Sequence, residues 1–336
     1  MTSTLPLAVS IGDPAGVGPE LIARIYAERK QLSLPPFAVC GGAAVLTAAA
    51  EKIGLPFQTE RIADPREAQK VFAGALPVIG TFDGEYTPGT PTTAGAQLSL
   101  DSLHYAIALA TGTRASGLVT APVAKSAIAA IDPGFIGQTE RLAEACDLPH
   151  EASVMMLAGP SLKTVPMTVH CALADVSGLL TRDLIVDRTR IVARAMRTDY
   201  GIAHPRIALA GLNPHAGEDG RMGREEIDII APAIAALRTE GIDATGPHPA
   251  DTLFATHKRG SYDVAIAMYH DQALVPLKAL EFDEGVNVTL GLPIVRTSPD
   301  HGTAFDIAGQ GIARANAMIA AIRMAGEIAA RRAQTS

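Results

Sequence analysis

Cysteine is scarce, and what there is carries no pattern. Cys40, Cys146 and Cys171 form no CxxC pair and no metal-binding spacing, which sets aside a disulfide framework and a zinc ribbon and fits reduced thiols in a cytosolic protein. Long apolar runs are missing too. No stretch of about 18 residues is uninterrupted enough to read as a membrane span, and the chain starts into an apolar run without a basic leader or signal-type core. Charge of one sign is barely in excess: the net charge is −7 and the basic residues are scattered. That argues against nucleic acid or an anionic membrane as the main partner, and leaves room for an anionic small molecule held by a few local cations. Internal repeats, low-complexity tracts and heptads are absent. A soluble cytoplasmic protein is the expectation.

What is present is apolar and regular. Hydrophobic residues make up 48% of 336 residues and charged residues 19%, enough to bury the cores of one large or two ordinary domains, with two favoured. Short apolar runs at 5–11, 37–40, 76–79, 117–120, 153–157, 164–169, 206–211 and 263–268 read as strands. Between them, helical spacing covers 21–30, an Ala-rich stretch ending at 53, 92–111, 125–131, 183–200, 224–240 and 314–332. Such alternation implies an α/β protein with a largely parallel sheet.

Several constellations carry chemistry. His170, His215 and His270 each follow a predicted strand, on the edge where parallel sheets bind ligands. Three imidazoles meeting there would suit a catalytic divalent cation with an open position, although spacing alone equally allows three polar loop residues. GDPAGVGPE at 12–20 turns from strand to helix but does not fit GxGxxG. Lys278, Asn287 and Arg296 lie in or beside apolar runs read as strands (VPLKAL, GVNVTLG, PIVRTS). A buried Lys or Arg calls for an anion, and an edge-strand salt bridge is the alternative. Gln138, Thr139 and Glu140 precede a helix as a capping turn or an anion site. His301, in HGTAFDIAGQG, sits in a loop that could wrap a flat ligand or simply connect.

Taken together, GDPAGVGPE, TAPVAK, NPHAGEDGRMGREE, GPHPADT, AMYHDQ, GVNVTLGLPIVRTS and DHGTAFDIAGQG resemble the 4-hydroxythreonine-4-phosphate dehydrogenases of vitamin B6 biosynthesis, in order, from about residue 7 to about 325. DHGTAFDIAGQGIA is also similar to the adenosine-wrapping loop of isopropylmalate dehydrogenases. The resemblance implies two intertwined α/β domains with a cleft between them, isocitrate/isopropylmalate dehydrogenase-like and not Rossmann. One domain, 1–128 plus 297–336, would face the cofactor; the other, 129–296, would hold metal and substrate and form the dimer.

By the same resemblance, His170, His215 and His270 match metal ligands shared across a homodimer, with His270 serving the neighbouring subunit's site. Gln138, Thr139, Lys278, Asn287 and Arg296 match substrate contacts, and Asp251 lines the same cleft. Gly12, Asp13, His301, Gly302, Asp306 and Gly309 match the cofactor side. One position departs: the family's GHTE reads GQTE here, so Gln138 stands where a histidine is usual, able to donate an N–H to phosphate without bringing charge. The implied reaction oxidises a phosphorylated hydroxy amino acid with NAD or NADP and a divalent Zn, Mg or Co ion, then decarboxylates it. Lys278, Asp251 or metal-bound water would take the hydroxyl proton. Paralogues acting on 4-phospho-D-threonate or -erythronate, a metal-dependent hydrolase and a non-catalytic binding protein are the other readings.

Overall fold

The computed structural model describes residues 5–335, which divide into two compact units: the described residues up to His150 together with Leu292–Ala333, and Glu151–Gly291. The strands in chain order are β1 (Leu7–Ser10), β2 (Phe37–Cys40), β3 (Thr59–Ile62), β4 (Leu76–Ile79), β5 (Gly117–Thr120) and β6 (Val154–Ala158). They continue with β7 (Lys163–Thr168), β8 (Arg206–Ala210), β9 (Asp243–His248), β10 (Val264–Tyr269), β11 (Val286–Leu290) and β12 (Arg296–Pro299).

The first unit carries the order β3-β4-β2-β1-β5-β12, parallel throughout. That order is not the 3-2-1-4-5-6 of a Rossmann sheet. β1, β2, β4 and β5 are buried at every position, as strands covered on both faces must be. The helix Thr93–Thr111 lies against them. Thr92 caps it by accepting from Gly95 N at 2.9 Å, and Leu100, Leu103, Ala106 and Ile107 enter the same core as Leu118. Each fully buried Leu there contributes roughly 1.5–3 kcal/mol. Mid-helix, Ser102 Oγ donates to Cys40 O at 2.6 Å and accepts from Ile11 N at 2.9 Å. One hydroxyl thus fixes the ends of β1 and β2, where the first loop leaves the sheet.

The second unit carries β11-β6-β7-β10-β8-β9. β7, β10, β8 and β9 are parallel, but β6 runs antiparallel to both β7 and β11. The turn at Gly159, whose N–H donates to Leu162 O at 2.9 Å, makes β6 and β7 a hairpin. Thr181 caps the helix Arg182–Thr198 through Leu184 N at 3.1 Å, and its buried face runs Ile185, Val186, Thr189, Val192, Ala193 and Met196.

Three expectations need correcting. VPLKAL is helix, not strand: Lys278 lies on the helix His270–Glu281, whose buried Ala273, Leu274 and Leu277 follow helical spacing despite Pro276. The first unit runs to His150 rather than to 128, because Leu142 and Ala143 of the helix Gln138–Ala145 join its core. Arg296 begins β12, registered against Leu118 of β5, so it belongs to the first unit and not to the second.

Candidate active site

In the second unit the three histidines line one edge. His170 and His270 follow β7 and β10, where Thr168 pairs with Tyr269 and Thr168 Oγ1 donates to Met268 O at 2.9 Å. Their rings lie 6.0 Å apart, centroid to centroid, over a concavity of about 310 Å³ lined by Thr168, Cys171, Leu173, Val176, Tyr269 and Asp271. His270 Nδ1 sits 2.7 Å from Asp271 Oδ1. That contact places the ring proton on Nδ1 and leaves Nε2 as the lone-pair donor, the usual arrangement behind a metal-ligating histidine. His215 follows β8, the other neighbour of β10. Within one chain, no group of three or more His, Cys, Asp or Glu among the described residues converges to hold a metal ion.

The backbone at these histidines is unusual. His170 has φ 50°. His215 opens a left-handed turn in which Ala216, Gly217, Glu218 and Asp219 follow with φ of 52°, 79°, 42° and 56°. Four of those five residues carry a Cβ, and the left-handed region costs roughly 1–2 kcal/mol for each of them. Strain of that kind persists only where surrounding contacts impose it. Here they come from Glu226, whose Oε1 and Oε2 accept from Asn213 N at 2.7 Å and Nδ2 at 3.0 Å, and from Glu225, whose Oε2 accepts from Asn213 Nδ2 at 2.7 Å. The Asn213 bond also holds the Glu225 carboxyl below the usual range.

The remaining second-unit candidates are more spread out. Asp251 is on the short helix Ala250–Leu253, which packs against the 214–220 segment carrying His215. Lys278 is half-buried eight residues beyond His270 on one helix, about 12 Å along its axis. Asn287 sits on β11 with a buried Oδ1 that meets no hydrogen-bond partner in the described structure.

In the first unit, three loops meet at the C-terminal edge of the sheet. β1 has β2 on one side and β5 on the other, and the chain leaves them in different directions; such a switch point is where open α/β sheets bind ligands. Asp13 N donates to Pro122 O at 3.0 Å and Val17 N to Thr303 O at 2.9 Å. A Cβ on Gly12 would stand 2.6 Å from Pro122 O, so loop-to-loop packing alone requires glycine there. Asp13 is 2% exposed; burial raises its pKa, while its bond from Ala15 N opposes the shift. The C-terminal loop is gripped by Glu20, a fully buried carboxylate accepting from Gly309 N at 2.7 Å and Ala313 N at 3.4 Å, and by Arg24, which donates to Gly311 O at 2.7 Å. His301, Gly302 and Asp306 are exposed on this loop, and the space beside Gly302 is open.

Arg296 is the central charge of this unit. Only 4% exposed, it donates from Nη2 to Thr120 Oγ1 at 2.8 Å and to Gln138 Oε1 at 2.7 Å. Burial lowers its pKa to about 10, with Glu140 partly opposing, so it stays charged at neutral pH. Gln138 also accepts from Thr120 Oγ1 at 2.9 Å and donates to Ala121 O at 3.3 Å. Its carbonyl oxygen is therefore spent on the arginine and the threonine. Gln138 and Thr139 open the helix Gln138–Ala145, whose first amide N–H groups point out of its N-terminus, as anion-binding helices require.

Sequence reasoning passed over Thr120, Glu20, Asn213 and Glu226. Each lies inside one of the motifs TAPVAK, GDPAGVGPE or NPHAGEDGRMGREE; the missing signal was burial for Thr120, Glu20 and Glu226 and, for the part-buried Asn213, its bonds to Glu225 and Glu226, which only the fold supplies.

A histidine row at strand ends in one unit, and a switch-point loop cluster beside a buried arginine in the other, are the furniture of an α/β enzyme acting on an anionic small molecule. Comparison with known proteins makes that particular. The family model described as "Pyridoxal phosphate biosynthetic protein PdxA" matches residues 33–325. A protein of Erythrobacter litoralis (strain HTCC2594) named 4-hydroxythreonine-4-phosphate dehydrogenase is 61% identical over 328 residues, 98% of each chain. Among solved structures, the 4-hydroxythreonine-4-phosphate dehydrogenase of Klebsiella pneumoniae superposes with a TM-score of 0.86 at 38% identity, covering 97% of this chain and 100% of that one. A terephthalate 1,2-cis-dihydrodiol dehydrogenase of Burkholderia xenovorans LB400 reaches 0.65 at 28% identity, covering 96% and 98%. The chain belongs to the pyridoxal phosphate biosynthetic protein PdxA family, and it is an enzyme of the dehydrogenase class.

Proposed function

We propose that this enzyme oxidises 4-phosphooxy-L-threonine with NAD or NADP and a divalent cation, and that the resulting β-keto acid loses CO₂ to give 3-amino-2-oxopropyl phosphate, in the supply of pyridoxal 5'-phosphate. The observation that carries this reading is the 61% identity, across 98% of both chains, to a protein bearing that substrate in its name. The terephthalate-type alternative stands further off, at 28% identity, and the chain keeps Thr139 and Glu140 of the phosphate motif.

The residues fit the assigned roles. His170, His215 and His270 would hold the cation in a homodimer in which each site draws on two chains; the paired rings and the Nδ1 proton on His270 leave lone pairs suited to a divalent ion. Of Zn, Mg and Co, a three-imidazole donor set suits Zn and Co, whereas Mg prefers oxygen ligands and would lean on substrate and water oxygens. Bound there, the cation would supply Lewis-acid polarisation that lowers the pKa of the substrate hydroxyl. Arg296 would bind the phosphate with the N-terminus of Gln138–Ala145 and Thr139. Gln138 aims the Arg296 guanidinium through Oε1, and the amide N–H not given to Ala121 O would be left for the phosphate. Lys278 and Asn287 would contact the rest of the substrate. Lys278 Nζ or the Asp251 carboxylate would take the hydroxyl proton; Asp251 is the one whose helix packs beside His215. Gly12, Asp13, His301, Gly302, Asp306 and Gly309 would face the dinucleotide, on loops fixed by Glu20 and Arg24. No helix of the described residues is long and apolar enough to cross a membrane, and we assign the enzyme to the cytoplasm.

The test is reduced-nicotinamide formation by purified protein with divalent metal, comparing 4-phosphooxy-L-threonine with 4-phospho-D-threonate and -erythronate. The first substrate should be preferred. Reduction of neither NAD⁺ nor NADP⁺ with it, or preference for a sugar-acid phosphate, would overturn the assignment.

A further inference from the structure

The structure assigns a positioning role to Asn213, Glu225 and Glu226: together they clamp the left-handed turn that presents His215. The inference rests on the reading of His215 as a metal ligand and names what holds that ligand in place.

The turn from His215 to Asp219 has no intrinsic reason to be left-handed. Only Gly217 within it is free of the Cβ that disfavours such backbone. The restraint comes from its flanks. Glu226 is 3% exposed, and both its oxygens are engaged by Asn213, one by the backbone N–H and one by the side-chain amide. Glu225 takes the same amide nitrogen from the other side at 2.7 Å. Three N–H···O bonds therefore fasten the residue two before His215 to a single point on the following segment.

The packing interlocks with these bonds. A Cβ on Gly217 would lie 2.6 Å from Glu226 Oε2, and one on Gly223 would strike Asn213 Nδ2. Glu226 also opens a π-helical turn, Glu226–Ile230, a distortion that is rare and clusters at functional sites. Two uncommon backbone features, a left-handed turn and a π turn, thus meet at one buried carboxylate.

Chemistry makes the carboxylate specific. Asn213 brings only donors to Glu226, so both oxygens must accept. An amide at 226 would turn one N–H against a donor and undo that half of the clamp. With the clamp loosened, the turn would relax toward right-handed backbone and His215 would leave the strand-end edge that His170 and His270 share. Glu226 acts on the metal through His215, not by touching it.

Glu226→Gln in the full-length protein tests this, with Glu240→Gln, which disturbs only the surface pair with Arg190, as control. In metal-free protein, hydrogen exchange of amides across 213–223 should quicken at least tenfold, with the first unit unchanged. Zinc affinity, titrated calorimetrically, should fall about 10- to 100-fold, as loss of a group orienting a ligand does. Turnover lost at limiting metal should return at saturating metal. Unchanged exchange in folded Glu226→Gln, or faster exchange with wild-type zinc affinity, would overturn the role. Because exchange is read without metal, faster exchange beside a wild-type protein that binds no zinc upholds the clamp and sinks only the metal reading. Asn213→Ala, which removes the side-chain amide alone, should show the same signs. Failure of both variants to fold would make these residues structural and also overturn the proposal.

Discussion

Replacing Arg296 with methionine separates what this guanidinium does for the fold from what it does for a ligand. Burial draws its pKa from 12.5 to about 10. At about 1.4 kcal/mol for each tenfold change in proton affinity, keeping the charge inside costs the folded protein about 3 kcal/mol. Its charge-assisted bonds to Gln138 and Thr120 return roughly 1.5–3 kcal/mol each. The two contributions nearly cancel, and Thr120 and Gln138 keep their own bond at 2.9 Å when the arginine is gone. Methionine fills similar space without charge, so urea unfolding of Arg296→Met should show a loss of no more than about 3 kcal/mol. Substrate binding has no such cancellation. Removing the buried partner of a phosphate costs about 2–5 kcal/mol, so KM for the phosphorylated substrate should rise at least about 30-fold. A variant that keeps its KM, or one that loses most of its folding free energy, would refute the argument, because Arg296 would then be serving the fold.

Mixed dimers made from the three His→Ala variants at 170, 215 and 270 should behave unequally: if ligands divide two and one between chains, two of the three pairings regain about half the activity, and recovery in none of the verified heterodimers refutes sharing. Gln138→His places a titratable ring against Arg296. As pH falls through that histidine's titration, the unliganded variant should lose stability while the variant-to-wild-type KM ratio drops, since bound phosphate offsets both charges; a flat ratio counts against contact between residue 138 and the anion site. Asp13→Asn removes a buried charge yet keeps an acceptor for Ala15 N. The Asp13 pKa is raised by burial, so wild type loses stability as pH rises through it. Thermal melts should therefore show the variant more stable at neutral pH, with the gap closing as pH falls toward 3.8; a constant gap would refute the burial argument.

Buried strands were the easiest part of the fold to read. β2, β4 and β5 (FAVC, LPVI and GLVT) are short, largely apolar runs buried at every position, and their ends fall where the sequence places them. β3 and β9 escaped notice. TERI is largely exposed, and DATGPH mixes glycine and proline with half-buried polar residues, so neither shows an apolar run or clean alternation. VPLKAL misled because a proline inside a helix mimics a break. At the candidate site, strand-end histidines and a buried arginine were legible as residue types. Their grouping was not: His170, His270 and His215 share an edge because β7, β10 and β8 are neighbours, an adjacency set by topology and invisible in spacing. Glu20 and Glu226 look like surface carboxylates in a sequence, and only their backbone partners more than ten residues away reveal them as struts.

The chain order of the two units bears on how this enzyme is born. The second unit is built around one uninterrupted run, Glu151–Gly291, whereas the first unit waits for β12 and the loop after it. While the ribosome is still making residues 151–291, β5 has an unpaired edge and Glu20 is a carboxylate without the Gly309 amide it will accept from. An open strand edge recruits other strands. The half of the molecule that emerges first is therefore the half that finishes last, and the nascent chain is most exposed to aggregation until residues 296–313 have cleared the tunnel.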